Sequence, residues 1–255
     1  MSRQKLGQHF LTNPSILERI AAAACAPDEP LAVEVGAGTG TLTEHLLARA
    51  RRVVAVEIDD ALVARLRQRF AGEPRLEIVS GDALQIDLGQ WGPAVLCGNL
   101  PYYAATAILE RAVRLGPQVR HSVFLVQKEV AQRVTAVPGT REYGYLTAML
   151  ALFARSELLF EVKPGAFRPP PQVESAVLRL QYAPRALQLG IADSEAFRRF
   201  LAVCFRQKRK TLRNNLRGVY ATGEVEKGPE LALRAEQLTV EQLAGLYRAL
   251  VNPAR

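Results

Sequence analysis

The sequence has little cysteine and no pattern that would pair what it has. Its 255 residues hold three, Cys25, Cys97 and Cys204. They lie far apart without a CxxC spacing, which excludes a disulfide framework or zinc site and indicates a reducing compartment. The three histidines, His9, His45 and His121, are equally scattered, so no metal is expected. Long apolar runs are missing too. No stretch approaches the roughly 18 residues that a membrane helix requires. Glu18 and Arg19 break the segment ahead of the alanine-rich Ala21 to Ala26 that would otherwise resemble a signal peptide. A cytoplasmic protein with no membrane partner is expected. Acidic charge is in deficit, with 25 Asp and Glu against 33 Lys and Arg, a net charge of +8. Such a balance says nothing about fold but favours a polyanionic partner.

What the sequence does contain is an alternation of short apolar runs with helical patterns. Leu31 to Val35, Val53 to Glu57, Leu76 to Val79, Ala94 to Cys97 and Ser122 to Val126 read as buried strands. Thr41 to Ala50 and Ala61 to Phe70 carry helical spacing, and Asp59 or Asp60 is placed to cap the second. This order implies an α/β fold with a parallel, doubly wound, Rossmann-like sheet and helices on both faces. Two later segments, Glu157 to Val162 and Ala176 to Tyr182, suit an antiparallel pair at the sheet edge. From Asp193 to Leu250 the pattern is helical only. The expected division is a catalytic domain over residues 1–187 and a small all-helical domain over 188–255.

The first strand runs into Gly36-Ala37-Gly38-Thr39-Gly40 and then a helix. Glycine lets a backbone turn sharply and approach a ligand with no Cβ in the way. Alone, the loop fits a dinucleotide site or a plain turn. Glu57 ends the second strand roughly 20 residues after Gly36, where a carboxylate can accept both ribose hydroxyls of an adenosine-type cofactor. Asp82 follows the third strand and can accept an adenine amino group, or cap a helix. The GxGxG spacing, rather than GxGxxG, turns the reading from NAD toward S-adenosyl-L-methionine, with Gly36, Gly38, Glu57 and Asp82 as binding residues.

The fourth strand ends in Gly98-Asn99-Leu100-Pro101-Tyr102. In open α/β sheets ligands collect at the carboxyl ends of strands, so this tetrapeptide lies where a methyl donor points. The lone pair of an adenine N6 is conjugated with the ring, which makes it a poor nucleophile. The Asn99 side-chain oxygen and the Leu100 carbonyl can each accept one N6 hydrogen and favour a pyramidal nitrogen. Pro101 stiffens the loop, and Tyr102 offers a stacking face and eases developing positive charge. Catalysis of this kind is positioning and electrostatics, with no general base required. The target base must be unpaired or flipped, so a second aromatic is expected, and Phe167, followed by Pro169, Pro170 and Pro171, is the candidate.

The chain resembles the bacterial small-subunit ribosomal RNA adenine N6,N6-dimethyltransferases (the KsgA type) along essentially its whole length. The resemblance rests on Leu6 to Leu11, the glycine loop, Glu57, Asp82, Asn99 to Tyr102, Val126 to Glu129, Tyr143-Gly144, Ala166 through Ser175 and Arg206 to Leu212. It implies transfer of four methyl groups, two to each of two adjacent adenosines in a hairpin loop near the 3′ end of the RNA. It also implies a pre-ribosomal small-subunit particle as substrate. Cofactor contacts carry over to His9, Leu11, Gly36, Glu57, Asp82 and Asn99. His9 is a departure, since many relatives have asparagine there, so only a backbone contact carries over intact.

Arg206, Lys208, Arg209, Lys210 and Arg213 crowd one stretch whose apolar partners include Phe205, Leu212 and Leu216. One side can pack while the other meets phosphates, giving affinity with little sequence information. A monomer is expected. Two rivals stand beside this reading: a large-subunit ribosomal RNA adenine N6-methyltransferase of the antibiotic-resistance type, and a non-catalytic ribosome assembly factor that keeps the fold as scaffold. The prolines after Phe167 and the Arg206 to Leu212 run count against the first; the intact cofactor set counts against the second.

Overall fold

The computed structural model describes residues 9–220 and 228–251; Leu6, Gly7 and Gln8 lie outside them. The chain divides into two compact units, residues 1–131 with 157–182, and residues 132–156 with 183–255. The second unit therefore gathers an internal segment of the chain as well as its C-terminal part.

The first unit is built on a sheet whose strands follow the apolar runs. They are β2 (Ala32–Val35), β3 (Val53–Glu57), β4 (Leu76–Ser80), β5 (Ala94–Asn99), β6 (Val119–Gln127), β7 (Ala154–Val162) and β9 (Ser175–Tyr182), in the order β4-β3-β2-β5-β6-β9-β7. The run from β4 to β6 is parallel, and β9 is antiparallel to β6. Parallel strands covered on both faces have no side for water, so they are apolar throughout rather than alternating. Every residue of β2 and β3 is buried. The expected edge segments are neighbours in the sheet, with β7 outermost.

Helix α1 (Pro14–Ala24) starts where Asn13 accepts a hydrogen bond from the Ile16 amide and Pro14 fills the first helical position. It buries Leu17, Ile20, Ala21 and Ala24. With Leu42, Leu46 and Leu47 of α2 (Thr41–Leu47), these cover Val53, Val95, Cys97 and Val123 of the sheet. Each fully buried leucine, isoleucine or valine among them contributes about 1.5–3 kcal/mol. Asp59 caps α3 (Asp60–Arg69) by accepting from the Ala61 and Leu62 amides. Helices α4 (Ala105–Arg114) and α5 (Lys128–Val134) follow β5 and β6. A two-residue strand β1 (Phe10–Leu11) pairs with β8 (Phe167–Arg168), bringing Leu11 opposite Phe167.

The strand order reverses between β2 and β5: the chain leaves β2 outward through β3 and β4 and returns to β2's other side as β5. Such a switch point opens a crevice at the carboxyl ends of the two strands. Here it puts the Gly36 loop beside Asn99. A Cβ at Gly98 would run into the Val35 carbonyl oxygen, so only glycine allows this approach.

The second unit holds α6 (Tyr145–Leu150), α7 (Ser194–Cys204, capped by Asp193), α8 (Leu212–Leu216) and α9 (Val240–Val251), with short 3₁₀ turns at Pro229–Ala232 and Ala235–Gln237. Its core includes Phe197 and Phe200, which stack on one another and meet Tyr247. No strand follows Tyr182 among the described residues.

Candidate active site

A cleft opens at the switch point, with about 900 Å³ of empty space counted out to and including its open mouth. His9, Leu11, Gly36, Gly38, Glu57, Asn99, Leu100, Pro101 and Tyr102 all line it. Residues expected on separate grounds, for a cofactor and for a target base, thus share one cavity.

Gly36 and Gly38 have φ of 75° and 59°, the left-handed region that disfavours other residues. A Cβ on Gly38 would sit 3.2 Å from the Phe10 ring. The loop is fixed from behind. Glu57 is 4 % exposed, accepts the Gly38 amide at 2.8 Å through Oε2, and accepts the Asp59 amide at 2.9 Å through Oε1. Each carboxylate oxygen keeps a further lone pair for a ribose hydroxyl. A glycine cradle beside a buried, cleft-lining carboxylate fits an adenosine-type cofactor.

Asp82 is outside the cleft lining. Its Oδ1 accepts the Leu84 amide at 2.8 Å, and its carbonyl accepts from Gln85 and Ile86, so its first task is to hold the turn after β4.

The tetrapeptide is held from three directions. The Leu100 amide donates to the Leu125 carbonyl at 3.0 Å, tying the segment to β6, and the Ala104 amide closes a turn on the Pro101 carbonyl at 3.0 Å. The Tyr102 hydroxyl lies 3.3 Å from that of Ser175, which is buried on β9. The Asn99 amide nitrogen donates to the His9 carbonyl at 2.9 Å. A carbonyl only accepts, so the contact settles which end of the amide points where, and Oδ1 is left to accept from a ligand.

His9 reaches the site twice. Its backbone orients Asn99, a role indifferent to asparagine or histidine at this position. Its ring stacks on Tyr102 at 5.7 Å between centroids, and Nδ1 lies 2.9 Å from the Pro169 carbonyl.

Phe167 is placed differently from the expectation. Its ring is 1 % exposed and packs with Leu11, Leu17, Val162 and Ala166 in the core under α1. The β1–β8 pairing turns it inward, so it offers no open face to a base. Tyr103, 67 % exposed at the cleft, is the aromatic the structure leaves uncovered there.

Sequence reasoning also passed over Glu34, a charge in the middle of an apolar strand. It is 1 % exposed, lines the cleft, and accepts the Thr43 hydroxyl at 2.5 Å. Burial pushes its carboxyl up to about 8; the Thr43 hydrogen bond pulls the other way, and the charge of Glu57 adds to the rise. The unfolded carboxyl titrates near its ordinary 4.5, so the folded state holds this proton more tightly. Glu34 therefore contributes stability at low pH that is lost as pH rises through about 8. Thermal unfolding of the ligand-free protein between pH 5 and 8 is expected to show a falling midpoint that flattens in Glu34→Gln. Equal slopes in the two proteins would remove Glu34 from this linkage.

In the second unit the basic residues Arg206, Lys208, Arg209, Lys210 and Arg213 are exposed. Asn215, 1 % exposed, organises the turn that carries them. Its Nδ2 donates to the Cys204 and Gln207 carbonyls at 2.9 and 3.1 Å, and its Oδ1 accepts the Gln207 amide at 3.1 Å. Lys208 is committed within the unit, to the Arg141 carbonyl and, at 3.6 Å, to Glu236.

No group of three or more His, Cys, Asp or Glu among the described residues is arranged to hold a metal, and no helix among them is long and apolar enough to cross a membrane.

Residues 1–250 match the family model described as ribosomal RNA adenine dimethylase. The chain is 40 % identical over 269 aligned positions to the ribosomal RNA small subunit methyltransferase A of Koribacter versatilis, covering 97 % of this chain and 94 % of that one. Among solved structures it is similar to a dimethyladenosine transferase from Plasmodium falciparum, with TM-score 0.81, 25 % identity, and 93 % and 96 % of the two chains covered. It is also similar to the 23S rRNA methyltransferase ErmE, with TM-score 0.72, 25 % identity, and 95 % and 100 % covered.

Proposed function

The chain belongs to the ribosomal RNA adenine dimethylase family, and from that premise we propose which of its residues carry out the reaction. The enzyme transfers methyl groups from S-adenosyl-L-methionine to N6 of two adjacent adenosines in a 3′-terminal hairpin loop of small-subunit ribosomal RNA, giving N6,N6-dimethyladenosines. The observation that carries the assignment of roles is the shared cleft. Asn99 stands at its β5 side with its amide nitrogen already engaged by His9, and Glu57 stands at its β3 side behind the glycine loop.

The cofactor supplies a methyl group on a positively charged sulfur. Gly36 and Gly38 let it approach the backbone, Glu57 accepts its ribose hydroxyls, and Leu11 walls the cleft near it. Asp82 stands ready for the adenine amino group with the carboxylate oxygen not used by Leu84. The target adenine stacks on Tyr102, whose orientation Ser175 and His9 fix. Asn99 Oδ1 and the Leu100 carbonyl each accept one N6 hydrogen, which localises the nitrogen lone pair. As the nitrogen bonds to the methyl carbon, the carbon–sulfur bond breaks and its electron pair stays on a neutral thioether; the tyrosine face and the two acceptors stabilise the positive charge the nitrogen gains, and its surplus proton leaves to solvent. A second transfer meets only one N6 hydrogen, so one of the two acceptors then faces the first methyl.

The substrate is a precursor of the small ribosomal subunit, and the second unit contacts its RNA. Arg206, Arg209, Lys210 and Arg213 supply the phosphate contacts, with the Asn215-braced turn as their support. Lys208, engaged by Arg141 and Glu236, contributes first to the turn itself. The double variant Arg209→Glu with Lys210→Glu is expected to weaken particle binding and to make the dependence of log affinity on log salt shallower by about 2. An unchanged slope would contradict this face. Methylation assays on each purified subunit test the reading as a whole: transfer to the small subunit is expected, and transfer to the large subunit alone would overturn it.

A further inference from the structure

Ligand clefts are completed by their ligands, so apolar surface left open inside one marks what the ligand covers. Of the eight large hydrophobic side chains exposed among the described residues, two, Ile58 and Tyr103, line this cleft. Ile58 follows Glu57 directly, on the cofactor side. Tyr103 follows Tyr102, and the two rings occupy the corner positions of the turn that the Ala104 amide closes on the Pro101 carbonyl. Tyr102 turns toward His9 and Ser175. Tyr103 turns outward, keeping 67 % of its surface exposed.

We infer that Tyr103 closes over the adenosine half of the cofactor, covering the purine from the face opposite the β3 wall and retaining it in the cleft. The inference rests on the cofactor reading above, and it adds a residue that the family resemblance does not assign to cofactor binding. Three observations support it. The ring belongs to the same cleft as Glu57, the glycine loop and Ile58. Its hydroxyl feels the carboxylates of Asp82 and Glu57, the two groups that hold the ribose and the adenine amino group: after partial burial, these are what push its ionisation upward. The phenol accordingly stays neutral and able to donate a hydrogen bond beside two carboxylates. Finally, the tyrosine most suited to the target base, Tyr102, is already locked by Ser175 and His9, leaving Tyr103 as the ring that is free to move onto a ligand.

Titration calorimetry with S-adenosylmethionine and S-adenosylhomocysteine on wild type, Tyr103→Ala and Tyr103→Phe tests this. Tyr103→Ala is expected to weaken both ligands roughly tenfold, on the order of one aromatic stacked on one base. Tyr103→Phe is expected to stay within about twofold of wild type. The KM for under-methylated small subunits, measured at saturating cofactor, is expected to be unchanged in both. Unchanged cofactor affinity in Tyr103→Ala would overturn the inference, and if the particle KM rose instead, the ring would serve the target base. A wild-type protein that bound neither ligand would sink the cofactor reading itself, an outcome distinct from the failure of Tyr103 alone. Because Tyr103 is an exposed turn residue, the variants are expected to fold, which circular dichroism checks.

Discussion

Asn99→Ala is expected to reduce methyl transfer about 10²–10³-fold or more while weakening cofactor binding by less than about tenfold. The asymmetry follows from where the side chain acts. Its Nδ2 is engaged by the His9 carbonyl at 2.9 Å, so Oδ1 is directed by a bond made before any substrate arrives. Preorganised groups of this kind act on the charge that develops in the transition state, and removing one typically costs 10²–10³ in kcat. The cofactor, in contrast, keeps Glu57, the glycine loop and the rest of the wall. Alanine also frees the His9 carbonyl and loosens residues 9–11 where they line the cleft, which accounts for the modest loss of cofactor affinity. Single-turnover transfer to under-methylated small subunits, together with calorimetry, separates the two effects. Near-normal turnover would remove Asn99 from the chemistry.

Glu57→Ala is expected to act in the opposite sense, weakening S-adenosylmethionine by about 100-fold or more. The carboxylate has two roles at once. It would hold the ribose hydroxyls, and it already holds the Gly38 and Asp59 amides at 2.8 and 2.9 Å. Two charge-assisted hydrogen bonds to a ligand, at roughly 1.5 kcal/mol each at the low end, correspond to about 100-fold. Loss of the loop ties adds to this. Glu57→Gln keeps an acceptor of the same shape and should fall between wild type and alanine. Calorimetry reads the affinities, and a Kd within threefold of wild type for Glu57→Ala would show that the ribose is held elsewhere.

The parallel strands were legible because a sheet covered on both faces demands continuous apolar runs, and Val53 to Glu57 or Ala94 to Cys97 are little else. Asp59 announced α3 through its capping chemistry. Helix α4 gave no such signal: its N-cap position, Ala104, has no side-chain hydrogen bond to offer, and it comes directly after a turn whose residues are chosen for the site. The β1–β8 pair is two residues long on each side, too short for any period, and joins parts of the chain more than 150 residues apart. That missing contact is why Phe167, in a proline-rich loop, read as a wall of the base pocket when its ring is in the core.

The same distinction holds at the site. Gly36, Gly38, Glu57 and the tetrapeptide were visible because each sits at a strand end, where topology alone places chemistry. Glu34 and Tyr103 were not, because a charge inside an apolar strand and a second tyrosine after the first take their meaning from what they face. His9 was visible as a departure from its relatives, but its consequence, a ring stacked on Tyr102 and a carbonyl on Asn99, needed three dimensions. The grouping of residues 132–156 with the C-terminal helices likewise has no local signature, since it depends on packing between stretches distant in sequence.

Dimethylation of adenine N6 by this cleft is read out by mass mapping of small-subunit ribosomal RNA after incubating the protein and S-adenosylmethionine with under-methylated small subunits. Two adjacent adenosines in the 3′-terminal hairpin loop are expected to gain two methyl groups each, with both modifications lost in Asn99→Ala. Methyl groups on other nucleotides only, or none at all with a protein shown to bind the cofactor, would contradict that activity.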